Sequence, residues 1–286
     1  MKIKDLRTTF ADRLQDHYPL EEVQSFFQIT ADHFLGYSRM DIVLHLEEEL
    51  NETQVQDFLD TCKRLAHHEP IQYILGDTEF YGLPFKVTPN TLIPRPETEE
   101  LVEWIIEEQK SKDQKETNSL QILDIGTGSG CIAVSLAKHI VNAKVTGYDI
   151  SQDALHIASE NAAINEVNVT FKKVDILQGQ TLEQSFDVIV SNPPYVRELE
   201  KEEIQPNVLD HEPHTALFVS DTDPLVFYRA IGQLAFDNLS GTGSLFFEIN
   251  QYLGEETVQL LKEIGFTDVQ LRKDIFGNDR MMKALK

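Results

Sequence analysis

The chain has 286 residues, enough for one large domain or for a catalytic domain with a small accessory one. Its hydrophobic fraction of 41% and charged fraction of 26% are typical of globular proteins, and no apolar run approaches the roughly 20 residues that span a bilayer, so we expect no membrane association. The formal net charge of −23 repels a phosphate backbone and argues against direct binding to long nucleic acids.

Residues 1–75 are predicted to form a small bundle of four or five short helices. Leu6, Phe10 and Leu14 recur at the i, i+4 and i+8 spacing of one helix face, and later stretches repeat apolar residues at intervals of three and four. Prolines and glycines interrupt this pattern at the places where short helices would end. The sequence therefore predicts an N-terminal helical domain.

A linker is predicted over residues 76–96. The sequence EFYGLPFKV indicates two strands around a turn at Gly82–Pro84. Three prolines follow at positions 89, 94 and 96, and they keep the chain extended because proline fixes φ and lacks a backbone donor. We expect a β-hairpin and an extended segment between two domains.

From residue 97 onward, predicted strands and helices alternate. An amphipathic helix over 98–108 and a polar loop over 111–119 come first. Strands are predicted over 121–125, 144–149, 167–173, 186–192, 243–249, 268–273 and 280–285, and helices from 131 and 151, near 224–239 and over 254–264.

This alternation specifies a parallel sheet with helices on both faces. The short FGND turn between the last two strands can only join an antiparallel pair. The predicted fold class of residues 97–286 is therefore α/β: a doubly wound, seven-stranded, Rossmann-like sheet of the methyltransferase type with an antiparallel last strand.

The segment LDIGTGSGCIA follows a predicted strand and opens a predicted helix. Gly126, Gly128 and Gly130 allow sharp turns and close approach of a ligand, and the helix start offers free N–H groups. A nicotinamide dinucleotide site needs G-x-G-x-x-G, whose third glycine would fall on Cys131. The G-x-G-x-G spacing, with Asp124 two residues ahead, instead favours S-adenosylmethionine, which has no pyrophosphate.

Asp149 ends the next predicted strand. A carboxylate at this place can accept hydrogen bonds from both hydroxyls of a ribose. The alternative is that Asp149 only caps the helix that begins near Ser151. Ser151 is itself a good cap, so the ribose role is the favoured prediction.

The tetrapeptide Asn192-Pro193-Pro194-Tyr195 directly follows an apolar strand. Ligands of open α/β sheets bind beyond the carboxyl ends of the strands, so we expect this segment beside the glycine loop. The prolines stiffen the backbone and leave carbonyls free as acceptors. The Asn192 side-chain oxygen and the Pro193 carbonyl can then hold both hydrogens of one NH₂ group, while Tyr195 packs against a flat π-system. The alternative is a stiff loop without chemistry.

Such an arrangement suits methylation of an amide or aryl-amine nitrogen, whose lone pair is delocalised and poorly nucleophilic. Two fixed acceptors orient the nitrogen and favour the positive charge that develops on it. Good positioning supplies roughly 7–11 kcal/mol of a barrier. No separate base is required, because an N-protonated amide loses its proton to water. The residues do not distinguish a glutamine side chain from adenine N6.

Seven stretches of the sequence carry a family resemblance: HEPIQYILGDTEFYGLPFKV, LIPRPETEELV, LDIGTGSGCIA, YDISQDAL, FDVIVSNPPYV, HEPHTALF and KDIFGNDR. Together they resemble, almost from end to end, the PrmC/HemK family of peptide chain release factor N5-glutamine methyltransferases. The resemblance implies a five-helix substrate-recognition domain, a β-hairpin linker and a methyltransferase domain. It also implies S-adenosylmethionine as the cofactor and, as substrate, the glutamine of the Gly-Gly-Gln loop of class 1 release factors, methylated on N5.

Carried over by position, the resemblance places the adenine of the cofactor near Ile176 and assigns Asn192 to both cofactor and substrate. The other cofactor-binding residues that it implies are Asp124, Gly126, Thr127, Gly128, Ser129, Gly130 and Asp149. The substrate-binding residues that it implies are Asn192, Pro193, Pro194 and Tyr195, of which Asn192, Pro193 and Tyr195 are the expected catalytic residues.

Four further residues have two open interpretations. Arg95, Thr98 and Glu99 of LIPRPETE are either cofactor or closure contacts, or parts of a linker and a helix cap. Glu248 ends a strand near the expected site and is either a functional acid or a packing residue.

Two alternative substrates remain. A related enzyme methylates a glutamine of a ribosomal protein, although PRPETE slightly favours the release factor branch. Adenine N6 of a nucleic acid would need a basic groove, which a charge of −23 does not suggest. A release factor domain that enters ribosomal RNA should be cationic, so an acidic enzyme would attract it.

Cysteine usage points to a reducing compartment and to the absence of a metal site. Cys62 and Cys131 stand far apart in no ligand-like spacing, which argues against a disulfide framework. Asp5 and Arg7 lie where a signal peptide needs its apolar region. We expect a cytoplasmic protein that binds no metal ion.

Overall fold

The computed structural model describes residues 1–111, 119–179, 182 and 184–286. Most of the loop predicted at 111–119 lies outside these residues. The described residues fall into two compact units, one of Met1–Gly76 with Gln205–His211 and the other of Asp77–Ile204 with Glu212–Lys286. No helix in the described part of the chain has the length and hydropathy to cross a bilayer.

The first unit is helical, as predicted from its apolar spacing. Its helices in the described residues are α1 Ile3–Leu14, α2 Leu20–Leu35, α3 Arg39–Leu44, α4 Glu52–Leu65 and α5 Ile71–Leu75. Leu6, Phe10 and Leu14 are all fully buried in one apolar core, which confirms the predicted helix face. Ser38 and Asn51 begin α3 and α4 with capping boxes that satisfy the free N–H groups of the first turn.

A β-hairpin of β1 Asp77–Phe80 and β2 Leu83–Lys86 begins the second unit. Its turn is Tyr81–Gly82, slightly earlier than the predicted Gly82–Pro84. Both turn residues have positive φ, 51° and 69°, as a two-residue hairpin turn with the right twist requires. Pro84 lies inside β2, which pairs on one side only and therefore tolerates a residue without an N–H.

The remainder of the chain alternates between helices and strands. In chain order these are α6 Pro96–Ser111, β3 Gln121–Ile125, α7 Cys131–His139, β4 Lys144–Asp149, α8 Gln152–Ile164, β5 Val169–Lys173, β6 Phe186–Ser191, β7 Val196–Arg197, α9 Pro206–Leu209, α10 His214–Leu217, β8 Phe218–Val219, α11 Val226–Asn238, β9 Leu239–Glu248, α12 Gly254–Ile264, β10 Asp268–Lys273 and β11 Asp279–Leu285. The helix α9 belongs to the first unit.

A sheet of seven strands, counted over the described residues, has the order β10-β11-β9-β6-β3-β4-β5. The pairs among β9, β6, β3, β4 and β5 are parallel. The last strand, β11, lies between β9 and β10 and is antiparallel to both. The predicted fold class, a doubly wound α/β sheet with an antiparallel last strand, plus an N-terminal helical bundle, is confirmed.

The acidic segment after residue 195 contains short elements that the sequence analysis did not predict. β7 and β8 pair in parallel. In the chain they are separated by a 3₁₀ helix over Glu198–Glu203 and by the helices α9 and α10. β7 and β8 have two residues each, α9 and α10 have four, and the 3₁₀ helix has six. Strands of two residues and helices of about one turn do not show a repeated hydrophobic period.

Apolar cores cover both faces of the sheet. Val190 of β6 and Phe246 of β9 pack on the face covered by α6 and α7, whereas Ile189 and Phe247 pack on the face covered by α11 and α12. Successive residues of a strand point to opposite faces. The runs FDVIV and LFFEI are therefore apolar at nearly every position because both faces are covered.

Replacement of Phe246 tests this packing. Its ring is fully buried and makes an edge contact with Trp104, with 5.5 Å between ring centroids. We expect Phe246→Ala to lower the free energy of unfolding by about 3–5 kcal/mol, because the truncation leaves a cavity. Phe276→Ala, at a ring that is 70% exposed, is the matched control and should change it by less than about 0.5 kcal/mol. Equal effects in chemical denaturation would contradict this core.

Candidate active site

The glycine loop between β3 and α7 lies at the carboxyl edge of the parallel strands. Gly126, Gly128 and Gly130 have φ of 73°, 55° and 82°, a region that residues with a side chain rarely adopt. The N–H groups of Gly126 and Thr127 both donate to the Tyr148 carbonyl, at 2.8 and 2.9 Å. The neighbouring strand β4 therefore holds the loop in its turned conformation.

A buried amide on α8 fastens the same loop to the hairpin. Asn161 donates from Nδ2 to the Ser129 carbonyl at 2.8 Å and to the Lys86 carbonyl at 3.0 Å, and its Oδ1 accepts from the Lys86 N–H. Gly130 packs closely against α8, since a Cβ there would lie 3.0 Å from the Ala158 Cβ. The loop is thus supported from two sides, and a Cβ added at Gly128 would meet no heavy atom within 4 Å.

Asp124 lies fully buried beneath the loop. Its Oδ2 accepts a hydrogen bond from the Thr127 hydroxyl at 2.6 Å, while its Oδ1 has no partner among the described residues. Burial raises the pKa of Asp124 to about 7 and the charge of Asp149 adds to this rise, whereas the Thr127 hydroxyl and the Ala133 backbone N–H oppose it. A buried oxygen that lacks a partner in the chain is suited to a polar or cationic ligand group.

Asp149 ends β4 opposite the loop. Its Oδ2 accepts from the Gly128 N–H and its Oδ1 from the Ser151 N–H, both at 2.8 Å. The N-cap of α8 is Ser151, whose hydroxyl accepts from the Ala154 N–H. Asp149 is therefore not needed as the cap, and each of its oxygens keeps a second acceptor position. Burial raises the pKa of Asp149, and its backbone donors oppose the rise.

These features fit S-adenosylmethionine. The loop exposes backbone where a Cβ would otherwise project, Asp149 offers two acceptors for a ribose, and Asp124 offers an unpartnered oxygen. Ile176 begins a 3₁₀ helix after β5, the neighbour of β4 at the same edge of the sheet, and contributes to the apolar core there. Each group occupies the place that the sequence analysis predicted for it; its contact with a cofactor stays a prediction.

The structure brings the tetrapeptide that begins at Asn192 next to the glycine loop. A Cβ on Gly126 would lie 3.8 Å from the Asn192 backbone oxygen. The Ser191 hydroxyl donates to the Ile125 carbonyl at 2.6 Å and ties the ends of β6 and β3 together. Pro193 is buried, whereas Asn192, Pro194 and Tyr195 are partly exposed. This juxtaposition is the one that the carboxyl-edge rule predicted.

The Asn192 side chain contacts Thr98 and is linked through it to Glu248, two residues whose roles the sequence left open. Its Nδ2 donates to the Thr98 hydroxyl oxygen at 3.4 Å, and that hydroxyl donates to Glu248 Oε2 at 2.6 Å. The Tyr195 hydroxyl donates to the other oxygen of Glu248, Oε1, at 3.0 Å. Burial raises the pKa of Glu248, while the hydrogen bond from Thr98, the charge of Arg280 and the hydrogen bond from Tyr195 lower it.

Tyr195 is held at both ends. Its carbonyl accepts from Asn250 Nδ2 at 2.9 Å, and its hydroxyl oxygen accepts from Arg280 at 3.5 Å. The Arg280 guanidinium also lies 6.0 Å from the centre of the ring. Burial, reinforced by the charge of Glu248, raises the pKa of Tyr195 well above its usual value. The ring is therefore a neutral, oriented surface and not a base.

The other two undecided residues of the PRPETE segment make contacts within the second unit. Arg95 forms an ion pair with the buried Glu212 at 2.5 Å, and Glu212 also accepts from the Ile93 N–H. Glu99 accepts from the Tyr81 N–H at the hairpin turn, at 2.7 Å. These contacts hold the extended segment and the hairpin in place, which matches the linker interpretation for both side chains.

Sequence reasoning missed Arg280, Asn250 and Asn161. Asn250 lies two residues beyond the apolar strand β9 at the carboxyl edge, close to the place after its own strand that made Asn192 a candidate. Arg280 stands at the start of β11, whose antiparallel direction brings that end to the same edge. Asn161 lies on a helix with ordinary spacing and carried no sequence signal.

Two solved methyltransferases have a similar fold. The T. thermophilus 16S rRNA N2 G1207 methyltransferase in complex with AdoMet and guanosine matches with a TM-score of 0.53 and 21% identity, over 73% of this chain and 49% of that one. A methyltransferase from Pyrococcus furiosus matches with a TM-score of 0.51 and 19% identity, over 79% and 97%. At these identities the likeness establishes the fold alone.

Sequence comparisons are more specific. The PrmC N-terminal domain family matches residues 5–76, and the methyltransferase small domain family matches residues 109–215. The release factor glutamine methyltransferase of Flavobacterium psychrophilum is 54% identical over 99% of both chains. The proteins of the same name from Bacteroides thetaiotaomicron and Lactococcus lactis are 44% and 41% identical, over 95% of both chains and over 99% and 98%. The chain therefore belongs to the PrmC/HemK family of release factor glutamine methyltransferases.

Proposed function

We propose that the protein transfers a methyl group from S-adenosylmethionine to N5 of the glutamine in the Gly-Gly-Gln loop of a class 1 peptide chain release factor. Full-length relatives named release factor glutamine methyltransferase support this activity. The observation in the structure that carries it is the position of the Asn192 carboxamide. The Asn192 backbone lies against the glycine loop, and the carboxamide donates to Thr98, which shares Glu248 with the hydroxyl of the neutral, oriented Tyr195.

Asn192 and Pro193 hold the substrate nitrogen in this proposal. Because Asn192 donates from Nδ2 to Thr98, its Oδ1 is available to accept one hydrogen of a primary amide. The Pro193 carbonyl accepts the other hydrogen. Two acceptors on one NH₂ group fix the plane of the amide and favour the positive charge that develops on nitrogen during methylation.

Tyr195 and Pro194 complete the substrate pocket. The Tyr195 ring stacks on the flat carboxamide of the substrate and limits its rotation. Its raised pKa keeps the hydroxyl protonated, so the ring contributes shape and not base catalysis. The proton released from the methylated nitrogen leaves to water, since an N-protonated amide is a very strong acid.

The cofactor site provides the other half of the pocket. S-adenosylmethionine supplies, when bound, an electrophilic methyl group on a sulfonium. Asp149 accepts from the ribose hydroxyls, and the loop from Gly126 to Gly130 admits the ligand close to the backbone. Asp124 offers its unpartnered oxygen beneath the loop, and Ile176 provides an apolar surface for the adenine.

Recognition of the release factor beyond its glutamine falls, we propose, to the N-terminal helical domain, residues 1–75. The match of the PrmC N-terminal domain family to residues 5–76 supports this assignment. Residues 76–96 then act as the hairpin linker and residues 97–286 as the methyltransferase domain. The net charge of −23 disfavours long nucleic acids as partners, and release factors act in translation, so we place the protein in the cytoplasm.

Mass spectrometry tests the proposed reaction. Incubation with S-adenosylmethionine and a class 1 release factor should add one methyl group, on the glutamine of the loop. Asn192→Ala should reduce turnover by roughly 100-fold, the scale of losing one preorganised charge-stabilising group, and should leave cofactor affinity largely intact. Asn238→Ala is the matched control. Asn238 is the last residue of α11, immediately before β9, and its side chain donates to the Leu234 carbonyl of the same helix.

Three other substrates define the contrary results. Parallel reactions with DNA, RNA and ribosomal proteins should give no methyl transfer. Transfer to one of these in place of the release factor, or near-normal turnover by Asn192→Ala, would contradict the proposal.

The ribose role of Asp149 predicts a pH dependence. A ribose hydroxyl is best accepted by the ionised carboxylate, and the pKa of Asp149 is raised. Affinity for S-adenosylhomocysteine should therefore fall as the pH is lowered through that pKa. Asp149→Asn should bind roughly tenfold more weakly near neutral pH, a loss of about 1.4 kcal/mol, and should lack this part of the profile. Calorimetric titration over a pH series provides the measurement.

A second pair of proteins separates Asp149 from Asp124. The pKa of Asp124 is about 7 and the charge of Asp149 contributes to that rise, so Asp149→Asn also lowers the pKa of Asp124. In an Asp124→Asn background Asp124 no longer titrates, and the change that Asp149→Asn makes there belongs to Asp149. Parallel profiles with and without Asp149→Asn in that background would exclude the ribose contact.

The acidic surface predicts electrostatic steering of a cationic substrate. Attraction between opposite net charges raises the association rate and is screened by salt. The association rate constant with a release factor, measured by stopped-flow fluorescence, should decrease as ionic strength rises. An uncharged peptide that contains Gly-Gly-Gln serves as the control and should show little salt dependence. A salt-independent rate constant for the release factor would rule out steering.

A further inference from the structure

We propose that Thr98 and Glu248 are positioning residues that determine which end of the Asn192 carboxamide faces the substrate. As regards the substrate, this inference rests on the proposed function. The proposal gives a role to the buried carboxylate of Glu248, which neither binds the cofactor nor holds the substrate glutamine in the reaction described above.

The sheet register places these side chains together. β6 and β9 are parallel neighbours, with Ser191 opposite Phe247, so the next residues, Asn192 and Glu248, are adjacent. Glu248 follows Phe246 by two positions and therefore shares its face of the sheet, which α6 covers. Thr98, in the first turn of α6, lies between them and contacts both.

The direction of each hydrogen bond follows from what each group can donate. At pH values above its raised pKa, Glu248 is ionised and only accepts, and both of its oxygens are then taken by hydroxyl hydrogens, those of Thr98 and Tyr195. A threonine hydroxyl has a single hydrogen, so Thr98 can only accept from Asn192. Asn192 must then turn its NH₂ group to Thr98 and direct its Oδ1 elsewhere.

This constraint matters because the two ends of a carboxamide have nearly the same shape and opposite hydrogen-bonding character. A reversed Asn192 would present its NH₂ group to the NH₂ group of the substrate glutamine, and two donors do not bind. It would also place its oxygen against a Thr98 oxygen with no hydrogen between them. Thr98 and Glu248 therefore select the productive orientation before the substrate arrives, which is preorganisation of the site.

A matched pair of variants tests the turnover. Thr98→Val keeps the shape of the side chain and removes the hydroxyl, so kcat for release factor methylation should fall about tenfold or more, with little change in the affinity for S-adenosylhomocysteine. Thr98→Ser keeps the hydroxyl and should restore most of the lost kcat. Wild-type turnover by Thr98→Val, or an equal loss in Thr98→Ser, would overturn the proposal.

A double variant distinguishes positioning from a general structural effect. If Thr98 acts through Asn192, adding Thr98→Val to Asn192→Ala should not lower the residual single-turnover rate any further, because the two effects are not additive. If Thr98→Val lowers the rate of Asn192→Ala by the same factor as it lowers the rate of the wild type, Thr98 acts independently of Asn192 and the proposed positioning role is refuted.

Nuclear magnetic resonance reads the orientation without any substrate. In protein labelled with ¹⁵N-asparagine, the Asn192 NH₂ signals are assigned by their disappearance in Asn192→Ala. These signals should shift in Thr98→Val, which removes the hydroxyl. They should also shift in Glu248→Gln, which keeps the Thr98 hydroxyl but allows the side chain at position 248 to donate to it. They should stay in place in Thr98→Ser. Unchanged signals in both Thr98→Val and Glu248→Gln would overturn the proposal. The NMR measurement needs no substrate, so it tests the orientation of Asn192 even if the protein does not methylate a release factor.

Discussion

The candidate site depends on the parallel pairing of β4, β3, β6 and β9, which brings four strand ends to one edge of the sheet. Backbone groups at a strand end are no longer used by the sheet, and they are free to form loops or to bind ligands. Asp149, the glycine loop, Asn192 and Glu248 each occupy one of these ends. Their relative positions are therefore set by strand register.

Two buried carboxyl groups at this edge are unfavourable for stability in themselves. Burial raises the pKa of both Asp124 and Glu248, which means that the fold disfavours their ionised forms. Glu248 is compensated by two hydroxyl donors and by the nearby charge of Arg280, whereas one oxygen of Asp124 has no partner among the described residues. Groups of this kind are commonly retained where orientation or ligand binding matters more than stability.

Local patterns in the sequence were sufficient for the elements of the sheet, for the sharp turns at the three loop glycines and for the placement of Asn192 beside them. All of these depend on periodicity or on the strand-end rule. The Thr98–Glu248 contact joins residues 150 positions apart. It depends on which helix covers which face of the sheet, and periodicity does not specify this. The short elements after Tyr195 were not predicted for a different reason: they contain too few residues to show a hydrophobic period.

The choice between a glutamine and an adenine cannot come from the tetrapeptide, because both substrates present an NH₂ group attached to a flat π-system. Discrimination must then be made by parts of the molecule that lie away from the reacting atoms. A net charge of −23 opposes the approach of a phosphate backbone and attracts a cationic protein, so it acts against one substrate class and in favour of the other. In this proposal Asn192 defines the chemistry, and the acidic surface together with the helical unit restricts where it is applied.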